Sequence, residues 1–512
     1  MTAIALYWRT LRHLTGRQLV YQVWNRVRPR PRLRWRAAPA PGYVPGPVPL
    51  THTYLNQTVT FTGQPDWNYA ENGKLWTYNL AYFDNLARRP VGEVRALIHD
   101  FMRQTPTHRD ALDPYPTSLR LLNWRAFLVR HTLHDPLMEQ HMRAQTALLR
   151  LRLEYHLGGN HLLENACALL TMGLFFKHPG WLSTGSTLLR AQLTEQILTD
   201  GGHYERSPVY HQLLTGRLLD VYQLLLATPP PTIPPDLPDF VRAKTAAMLN
   251  WLVAITFRDG SVPMVNDAVA GVAPTTATLL SRARALGFAP VAARLGQSGY
   301  RMLTTPRLEL FVDLGPVGPD HQPGHAHADT FSFVLHADGQ PLVVDPGTST
   351  YQPGSRRQWE RSTAAHNTVA VGGQNSSEVW GGFRVGRRAQ VTLLTDTPTC
   401  LEATHDGYAF LGDTHCRRWV LGQNNTLSIY DSFSDEKNTR QCYVYLFNCI
   451  DLKNERFASK VNINDISIEF DTLNPVQVRT YHRATGFNQT TPASYLSVPF
   501  ATTLTTLISI PP

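Results

Sequence analysis

Hydrophobic positions divide the chain into two stretches with different periods. From about residue 80 to 290, Leu-, Ala- and Arg-rich runs of helical length recur, such as SLRLLNWRAFLVRHTL, between turn signals such as GGN and PPPTIPP. From about residue 299 the pattern changes to short alternating or β-branched segments, among them LELFVDL, PLVVD and TLSIYDSF. The sequence therefore predicts a helical part followed by an antiparallel sheet part, rather than alternating βαβ units.

The composition is that of a globular protein with room for more than one domain. The chain has 512 residues, of which 43% are hydrophobic and 17% are charged. Its five cysteines are an odd number without CxxC spacing, so neither a disulfide framework nor a cysteine metal site is indicated. We predict an N-terminal arm and Pro-rich linker over residues 1–74, a helical domain over 75–295 and a strand domain over 296–512.

The positive charge of the chain is concentrated in the N-terminal arm. Residues 1–65 hold nine Arg and no acidic residue, whereas the rest of the chain is formally neutral. Leu11, Val20 and Trp24 recur at roughly helical spacing among these arginines, which predicts a basic amphipathic helix. Such a helix could contact an anionic membrane surface, attract a polyanion, or pack against the chain's own helical domain. Nucleic-acid binding is not predicted.

The first residues do not have the pattern of a secretory signal peptide. The apolar stretch from Ala3 to Trp8 is short, and Arg9 follows it in place of a small-residue cleavage site. A cytoplasmic location is therefore the expectation, unless a leader has been trimmed from the sequence.

Two clusters of polar residues stand where Gly-rich turns open predicted helices. The first is GGNHLLEN, with Asn160 and His161 at a helix start, where anions bind well. On its own, an Asn at this position is more often a helix cap than a catalytic group. The second is DGGHYERSPVYH, which crowds several polar and aromatic side chains into one turn, namely His203, Tyr204, Glu205, Arg206, Tyr210 and His211. A solvated helix start is the alternative interpretation of this second cluster.

Two further clusters contain potential metal-binding and sugar-binding residues. In GHAHAD, His325 and His327 point to the same side of an extended segment, and Asp345 and His366 could join His327 in a Zn²⁺ site. In the fourth cluster, aromatic rings suited to stacking on sugars accompany an Arg that could pair with carboxylates or sulfates, namely Tyr78, Tyr115, Arg120 and Asn123. Ordinary helix packing is the alternative for these residues.

These clusters, in this order, resemble the heparinase II/III superfamily of polysaccharide lyases, including its alginate-lyase branches. The resemblance covers roughly residues 75–385. It is carried by LWTYNLAYFDNL, PYPTSLRLLNW, GGNHLLENACAL, DGGHYERSPVYH, FRDGSVPMVND, PGHAHADTFSF, VVDPGTSTY and RSTAAHNTV. Eight ordered segments are far more specific than any one of them.

The resemblance implies an incomplete (α/α) toroid followed by an antiparallel β-sandwich. It also implies that Asn160, with His161, faces a uronate carboxylate, and that Tyr210 and His325 are catalytic. A structural zinc ion would be bound by the residues matching the family's metal ligands, His327, Asp345 and His366. Tyr204 and His211 lie close to Tyr210 in the sequence, so the choice of proton donor is left open.

The expected activity is β-elimination on a uronic-acid polymer such as a glycosaminoglycan, alginate or a bacterial exopolysaccharide, with no organic cofactor. One alternative is a glycoside hydrolase, for which Glu164, Glu205, Asp200 and Asp267 are candidate acids. Another is a non-catalytic protein that binds acidic polysaccharides. The hydrolase is disfavoured because Asn, His and Tyr, rather than paired acids, dominate the clusters.

Overall fold

The computed structural model describes residues 3–29, 31–35, 50–229, 232–449, 459–463 and 465–511. The predicted Pro-rich linker, residues 38–50, lies outside the described residues except for Leu50. Within these ranges, no helix is both long enough and apolar enough to cross a membrane.

Helices dominate the first half of the described chain. They are α1 (Ala3–Leu11), α2 (Gly16–Val27), α3 (Lys74–Tyr82), α4 (Val91–Gln104), α5 (Pro114–Arg130), α6 (Pro136–Leu151), α7 (Gly159–Phe175), α8 (Pro179–Gln196), α9 (Pro208–Leu226), α10 (Leu237–Ile255), α11 (Thr276–Ala285) and α12 (Ser355–Glu360). The N-terminal arm forms two helices where the sequence predicted one. The break follows from a capping box, in which Thr15 and Gln18 each bond the other's backbone N–H.

Strands dominate the second half. They are β1 (Thr51–Tyr54), β2 (Gln57–Thr60), β3 (Tyr300–Thr304), β4 (Leu308–Asp313), β5 (Phe333–Ala337), β6 (Gln340–Val343), β7 (Val369–Val371), β8 (Val379–Trp380), β9 (Arg384–Val385), β10 (Val391–Asp396), β11 (Cys400–His405), β12 (His415–Gly422), β13 (Thr426–Phe433), β14 (Arg440–Tyr445), β15 (Lys460–Ile463), β16 (Ile466–Phe470), β17 (Gln477–Gly486), β18 (Gln489–Phe500) and β19 (Thr503–Ser509). The predicted sequence of helices followed by strands is confirmed.

The later strands form antiparallel sheets that share a hydrophobic core. The largest sheet has the order β10-β11-β12-β13-β19-β16-β15, and two four-stranded sheets have the orders β17-β18-β14-β7 and β3-β4-β5-β6. Burial alternates along β12 and β13, as expected for strands with one face in a core. Trp419 of the large sheet, Val498 of the second and Phe333 of the third belong to one buried cluster.

The described chain forms two compact units, each of which combines segments that are separate in the sequence. One consists of Met1–Leu14, Ile197–Gly216 and Lys244–Pro512, and the other of Thr15–Gln196 and Arg217–Ala243. We refer to them as the strand unit and the helical unit. The turn that contains His203 and Tyr210 therefore belongs to the strand unit, although α9, which it opens, continues into the helical unit.

Candidate functional site

The centre of the polar cluster in the strand unit is the carboxylate of Asp267, whose side chain is completely buried. Arg357 of α12 binds it in a bidentate manner, with Nη1–Oδ1 and Nη2–Oδ2 distances of 2.5 and 2.8 Å. His325 and His327 contact the same two oxygens, each at 3.0 Å. Burial alone would raise the pKa of Asp267, but Arg357 and the two histidines outweigh it and hold the pKa well below its usual value. Asp267 is therefore ionised.

The ionised Asp267 fixes the protonation pattern of His325. A carboxylate only accepts hydrogen bonds, so the His325 Nδ1 that lies 3.0 Å from Asp267 Oδ2 carries a proton. In the neutral ring, Nε2 is then the acceptor nitrogen. This Nε2 lies 3.7 Å from Glu205 Oε2. A histidine oriented in this way by a carboxylate is suited to general base chemistry.

The phenol ring of Tyr210 stacks on the imidazole of His325. The two ring centroids are 4.0 Å apart, with an angle of 29° between the planes. The Tyr210 hydroxyl lies 3.2 Å from the hydroxyl of Tyr351. Desolvation, reinforced by the negative charges of Asp267 and Glu205, raises the pKa of Tyr210 above its usual value. The Tyr210 hydroxyl therefore stays protonated at neutral pH and can donate a proton.

The turn that leads to Tyr210 is held by Asp200 and His211. Asp200 Oδ2 accepts hydrogen bonds from the backbone N–H groups of Gly296 and Ser298, both at 2.9 Å. His211 Nε2 lies 2.9 Å from the carbonyl oxygen of Met248, so it carries the ring proton, and Nδ1 accepts from the N–H of His203 at 3.2 Å. Burial lowers the pKa of His211 to about 3. His211 thus acts as a neutral bridge between backbone segments.

Gly201 allows this turn to lie close to α10. Its φ of +91° is favourable only for glycine, and a Cβ atom there would stand 2.1 Å from the carbonyl oxygen of Ala247. At Gly202, the next residue of the DGG motif, a Cβ atom would stand 2.8 Å from Nε1 of Trp251 in the same helix. The motif is therefore required by the backbone path that brings His203 and Glu205 into the cluster.

The remaining predicted residues of the turn are buried. Burial lowers the pKa of His203 to about 4, and its Nδ1 lies 3.9 Å from Glu205 Oε2. Arg206 donates from Nε to the carbonyl oxygen of Ser298 at 3.0 Å, so its guanidinium binds backbone. The Tyr204 ring contacts those of His203 and His321, at centroid distances of 5.2 and 5.8 Å. The structure places Tyr210, and not Tyr204, against His325.

A second cluster in the helical unit surrounds the N-terminus of α7. Gly158, with a φ of +73°, directly precedes the helix, and Asn160 is its second residue, only 2% exposed. His161 Nδ1 lies 3.1 Å from Glu154 Oε1, and its side chain is 29% exposed. Its ring stacks on that of Tyr115 with centroids 4.2 Å apart. Glu154 orients His161 much as Asp267 orients His325.

Tyr78 lies near this cluster, beside Asp113 and Lys74. The Tyr78 hydroxyl donates to Asp113 Oδ2 at 2.7 Å, and Lys74 Nζ donates to the same oxygen at 2.9 Å. Desolvation and the adjacent Asp113 charge raise the pKa of Tyr78. The Tyr82 ring contacts that of Tyr115 edge-on, with centroids 5.9 Å apart, and lies tilted against that of Tyr78 at 6.3 Å. Aromatic side chains thus accompany His161.

Arg120 and Asn123 bind other parts of the helical unit. Arg120 is fully buried, donates to the carbonyl oxygens of Ala81 and Ala111, and contacts Gln145 Oε1 at 2.6 and 2.8 Å. Burial lowers its pKa to about 9. Asn123 donates to Asp84 at 2.6 Å. Arg120 is thus engaged in the packing of the helices, whereas Asn123 remains partly exposed.

The predicted metal ligands lie close together in the strand unit. His366 Nδ1 is 2.7 Å from Asp345 Oδ2, and the His327 and His366 ring centroids are 5.3 Å apart. His327 Nδ1 and His366 Nε2 are buried atoms for which no hydrogen-bond partner is found among the described residues. These are donor types that Zn²⁺ prefers, and the three residues fit such an ion chemically. Nevertheless, no group of three His, Cys, Asp or Glu in the described ranges has a recognisable metal-binding arrangement.

Three of the four acids considered for a glycoside hydrolase are held by other partners, and the fourth, Glu205, lies 3.7 Å from His325 Nε2. Asp267 is paired with Arg357, Asp200 closes the Gly-rich turn, and Glu164 accepts from Arg217 Nε at 2.7 Å.

Sequence reasoning assigned no role to Tyr351, Arg357 and Glu154 and considered Asp267 only as a hydrolase acid. Of these four residues, Asp267 lies in FRDGSVPMVND and Tyr351 in VVDPGTSTY, two segments that carry the family resemblance. Their place in these segments is the sequence signal that could have identified them. Arg357 and Glu154 lie outside the quoted segments, and only the fold reveals their contacts.

Comparison with known proteins identifies the family. The heparinase II/III N-terminus model matches residues 118–284, and the heparinase II/III-like C-terminal model matches residues 289–496. Together these two models cover most of the chain, which belongs to the heparinase II/III family.

Individual relatives are distant. A heparin-sulfate lyase of Bacteroides thetaiotaomicron is 26% identical over 270 residues, which are 44% of this chain and 38% of that protein. A heparin-sulfate lyase of Pedobacter heparinus is 24% identical over 247 residues, 42% of this chain and 36% of the relative. The chain thus matches well under half the length of these curated relatives.

The fold is shared with a solved structure. A crystal structure of heparinase III superimposes with a TM-score of 0.68 at 16% identity, covering 88% of this chain and 80% of that one. This similarity, with the observed elements, confirms the predicted fold class, an incomplete (α/α) toroid followed by an antiparallel β-sandwich.

We predict that Asp267→Asn destabilises the strand unit by about 3–5 kcal/mol, because the buried Arg357 loses its counter-charge. Folding depresses the pKa of Asp267. Its ionised carboxylate therefore contributes fully to the free energy of unfolding above the pKa of an unfolded Asp, about 3.9. This contribution is lost as the pH falls through the pKa of Asp267 in the folded state. The destabilisation caused by Asp267→Asn should therefore be constant from about pH 8 to 5 and should diminish below that range. Denaturant unfolding across this pH range measures it.

Glu469→Gln is the matched control, since Glu469 pairs with Lys460 on an exposed strand edge. It should change the free energy of unfolding by less than about 1 kcal/mol. Equal effects of the two substitutions would contradict the central role given to Asp267.

Proposed function

We propose that the chain is a polysaccharide lyase that cleaves a uronic-acid-containing glycosaminoglycan by β-elimination. The observation that carries this proposal is the stacked pair of His325 and Tyr210, in which Asp267 leaves His325 Nε2 as an acceptor while the Tyr210 hydroxyl remains protonated. A base beside a protonated acid is what an elimination needs. The names of the relatives, heparin-sulfate lyases, support a glycosaminoglycan substrate.

In the proposed reaction, His325 Nε2 removes the proton from C5 of the uronate. The electron pair of that C–H bond forms the C4–C5 double bond, and the C4–O bond to the departing sugar breaks. Tyr210 donates its hydroxyl proton to the departing oxygen. No water is consumed, and one product carries an unsaturated uronate at its end. Tyr351, 3.2 Å from Tyr210, is placed to pass on a proton that restores Tyr210.

Asn160 and His161 are proposed to bind the uronate carboxylate. They stand at the first turn of α7, where backbone N–H groups and the helix dipole favour an anion. Donors directed at a uronate carboxylate stabilise the negative charge that an elimination develops on it. Glu154 orients His161 through its Nδ1 contact of 3.1 Å, while Tyr115 stacks on its ring. Tyr78 and Tyr115 are proposed to contact neighbouring sugars.

The stacking of base on acid favours one stereochemistry. Because the Tyr210 and His325 rings lie 4.0 Å apart, both groups approach the sugar from the same side, which supports a syn elimination. In glucuronate the C5 hydrogen and the C4 oxygen lie on the same face of the ring, whereas in iduronate they lie on opposite faces. We therefore propose glucuronate at the cleaved position.

Tyr210→Phe should lower kcat by about a hundredfold or more, because it removes the proton donor while keeping the ring that packs on His325. The assay is the ultraviolet absorbance of the unsaturated product from heparan sulfate or its unsulfated precursor polymer. Tyr204→Phe, in the same turn, is the control and should retain near-normal activity. Full activity of Tyr210→Phe together with loss in Tyr204→Phe would reverse the assignment.

A substrate panel tests the stereochemical proposal. The chain should cleave glucuronate-rich heparan sulfate and its unsulfated precursor at least about tenfold faster than iduronate-rich dermatan sulfate or heparin, because the base is on the wrong face for iduronate. Mass spectrometry of the products identifies the uronate that was cleaved, and alginate and bacterial exopolysaccharides complete the panel. A preference for iduronate would contradict the syn arrangement.

We also propose that His327, Asp345 and His366 bind a structural Zn²⁺. The support is the 2.7 Å approach of His366 to Asp345 and the buried ring nitrogen of His327 without a hydrogen-bond partner among the described residues. Such an ion would connect the segment that bears His325 to the following strands. Its role would be structural, with catalysis left to the side chains described above.

Metal analysis of the purified chain should find about one zinc per molecule, and His327→Ala should lose most of it with a fall in the melting temperature. His134→Ala, at a side chain that is 78% exposed, is the control and should keep the metal. A zinc-free wild-type chain whose melting temperature is insensitive to a chelator would disprove the site.

A further inference from the structure

The N-terminal helices have their apolar faces turned away from the protein. In α2 the exposed large hydrophobic residues are Leu19, Val20, Val23, Trp24 and Val27, at 41, 64, 59, 51 and 69% exposure. Their spacing places them in one stripe along the helix. In α1 the residues Ile4, Trp8 and Leu11 form a similar stripe, at 80, 68 and 43% exposure, while the adjacent Tyr7 contacts the ring of Trp380 edge-on.

The polar face of α2 attaches the helix to the helical unit. Gln18 is 4% exposed, and its Nε2 donates to the carbonyl oxygen of Leu157 at 3.4 Å. The Arg17 guanidinium lies 3.7 Å from the ring centroid of Tyr155, on which Tyr21 also packs. A surface helix ordinarily buries its apolar face against its own protein. The reverse orientation indicates that the stripe of α2 has another partner.

The polar face of α1 is attached to the strand unit in the same manner. Arg9 donates to both carboxylate oxygens of Glu378, at 2.8 and 2.7 Å. Thr10 Oγ1 accepts from the indole N–H of Trp380 at 3.1 Å. Each helix is thus held by polar contacts on one side and exposes hydrophobic residues on the other. The same arrangement occurs independently in both units.

The charge around the stripe of α2 identifies the partner. Arg17 and Arg26 are exposed and, at 100° per residue, lie at its two edges, and residues 1–65 contain no acid. A symmetric contact with a second copy would place these arginines near one another, which is unfavourable. A soluble polyanion would neutralise the arginines but leave the stripe in water. An anionic lipid surface both neutralises the arginines and buries the stripe, since its headgroups contact the arginines and its acyl chains contact Val23 and Trp24.

We propose that the exposed stripe of α2 docks the protein onto an anionic lipid bilayer surface, with its axis in the plane of the interface. The stripe of α1 provides a second set of apolar side chains of the same kind. This attachment is peripheral and does not depend on the proposed lyase activity. It gives a function to the Arg-rich arm, which the proposed chemistry does not use.

The test is co-sedimentation of the full chain with vesicles of phosphatidylcholine containing phosphatidylglycerol, and with vesicles of phosphatidylcholine alone. The chain should bind the anionic vesicles, less so as the salt concentration rises, because the arginine contribution is screened. Val23→Glu should weaken vesicle binding about tenfold more than Gln22→Glu does, since it also removes an apolar side chain from the interface. Gln22, next in sequence but off the stripe, is the matched control for the added charge.

Circular dichroism and gel filtration establish that both variants remain folded. Absence of binding to anionic vesicles, or equal weakening by the two substitutions, would overturn the proposal. A wild-type dimer that Val23→Glu converts to a monomer would assign the stripe to a second copy of the chain and would also overturn it.

Discussion

The polar cluster around Asp267 depends on the compensation of one buried carboxylate. Asp267 lies in the loop after α10, His325 and His327 lie between β4 and β5, and Arg357 lies in α12. A buried carboxylate is stable only when its oxygens are fully compensated, so the three segments must adopt positions that satisfy it together. The bidentate contact from Arg357 supplies the charge, and the two histidines supply the remaining hydrogen bonds. The geometry of the cluster follows from this single requirement.

The same requirement also orients His325 and Tyr210, the two residues proposed to carry out the elimination. Asp267 accepts the Nδ1 proton of His325, and this hydrogen bond orients the imidazole and favours the tautomer that carries its proton on Nδ1. Tyr210 stacks on a ring that is already oriented, and the nearby carboxylates of Asp267 and Glu205 oppose ionisation of its phenol. In the proposed elimination, this arrangement would present the acceptor nitrogen of His325 beside a protonated phenol before substrate binds, which avoids a cost of rearrangement.

The sequence predicted the order of helices and strands because hydrophobic period is a local property. It also placed Tyr210 and His325 among the chemical candidates, since crowded polar residues at Gly-rich turns are visible in the sequence. It did not predict the contact of Asp267 with Arg357, because the two residues are 90 positions apart and only the fold brings them together. Arg120 shows the same limitation, as no local pattern distinguishes an arginine that binds buried carbonyl oxygens from one that binds a ligand.

The N-terminal helices show a further limit of periodicity. A helical repeat of apolar residues identifies a stripe but does not say which way the stripe faces. The sequence was therefore compatible with a stripe that packs on the protein and with one that faces away from it. The direction is decided by the polar side, because Gln18 and Arg17 in α2, and Arg9 in α1, have specific partners on the protein. Those contacts hold the polar side of each helix against the protein and leave the apolar residues exposed. Burial of either stripe against an external apolar surface would therefore be favourable.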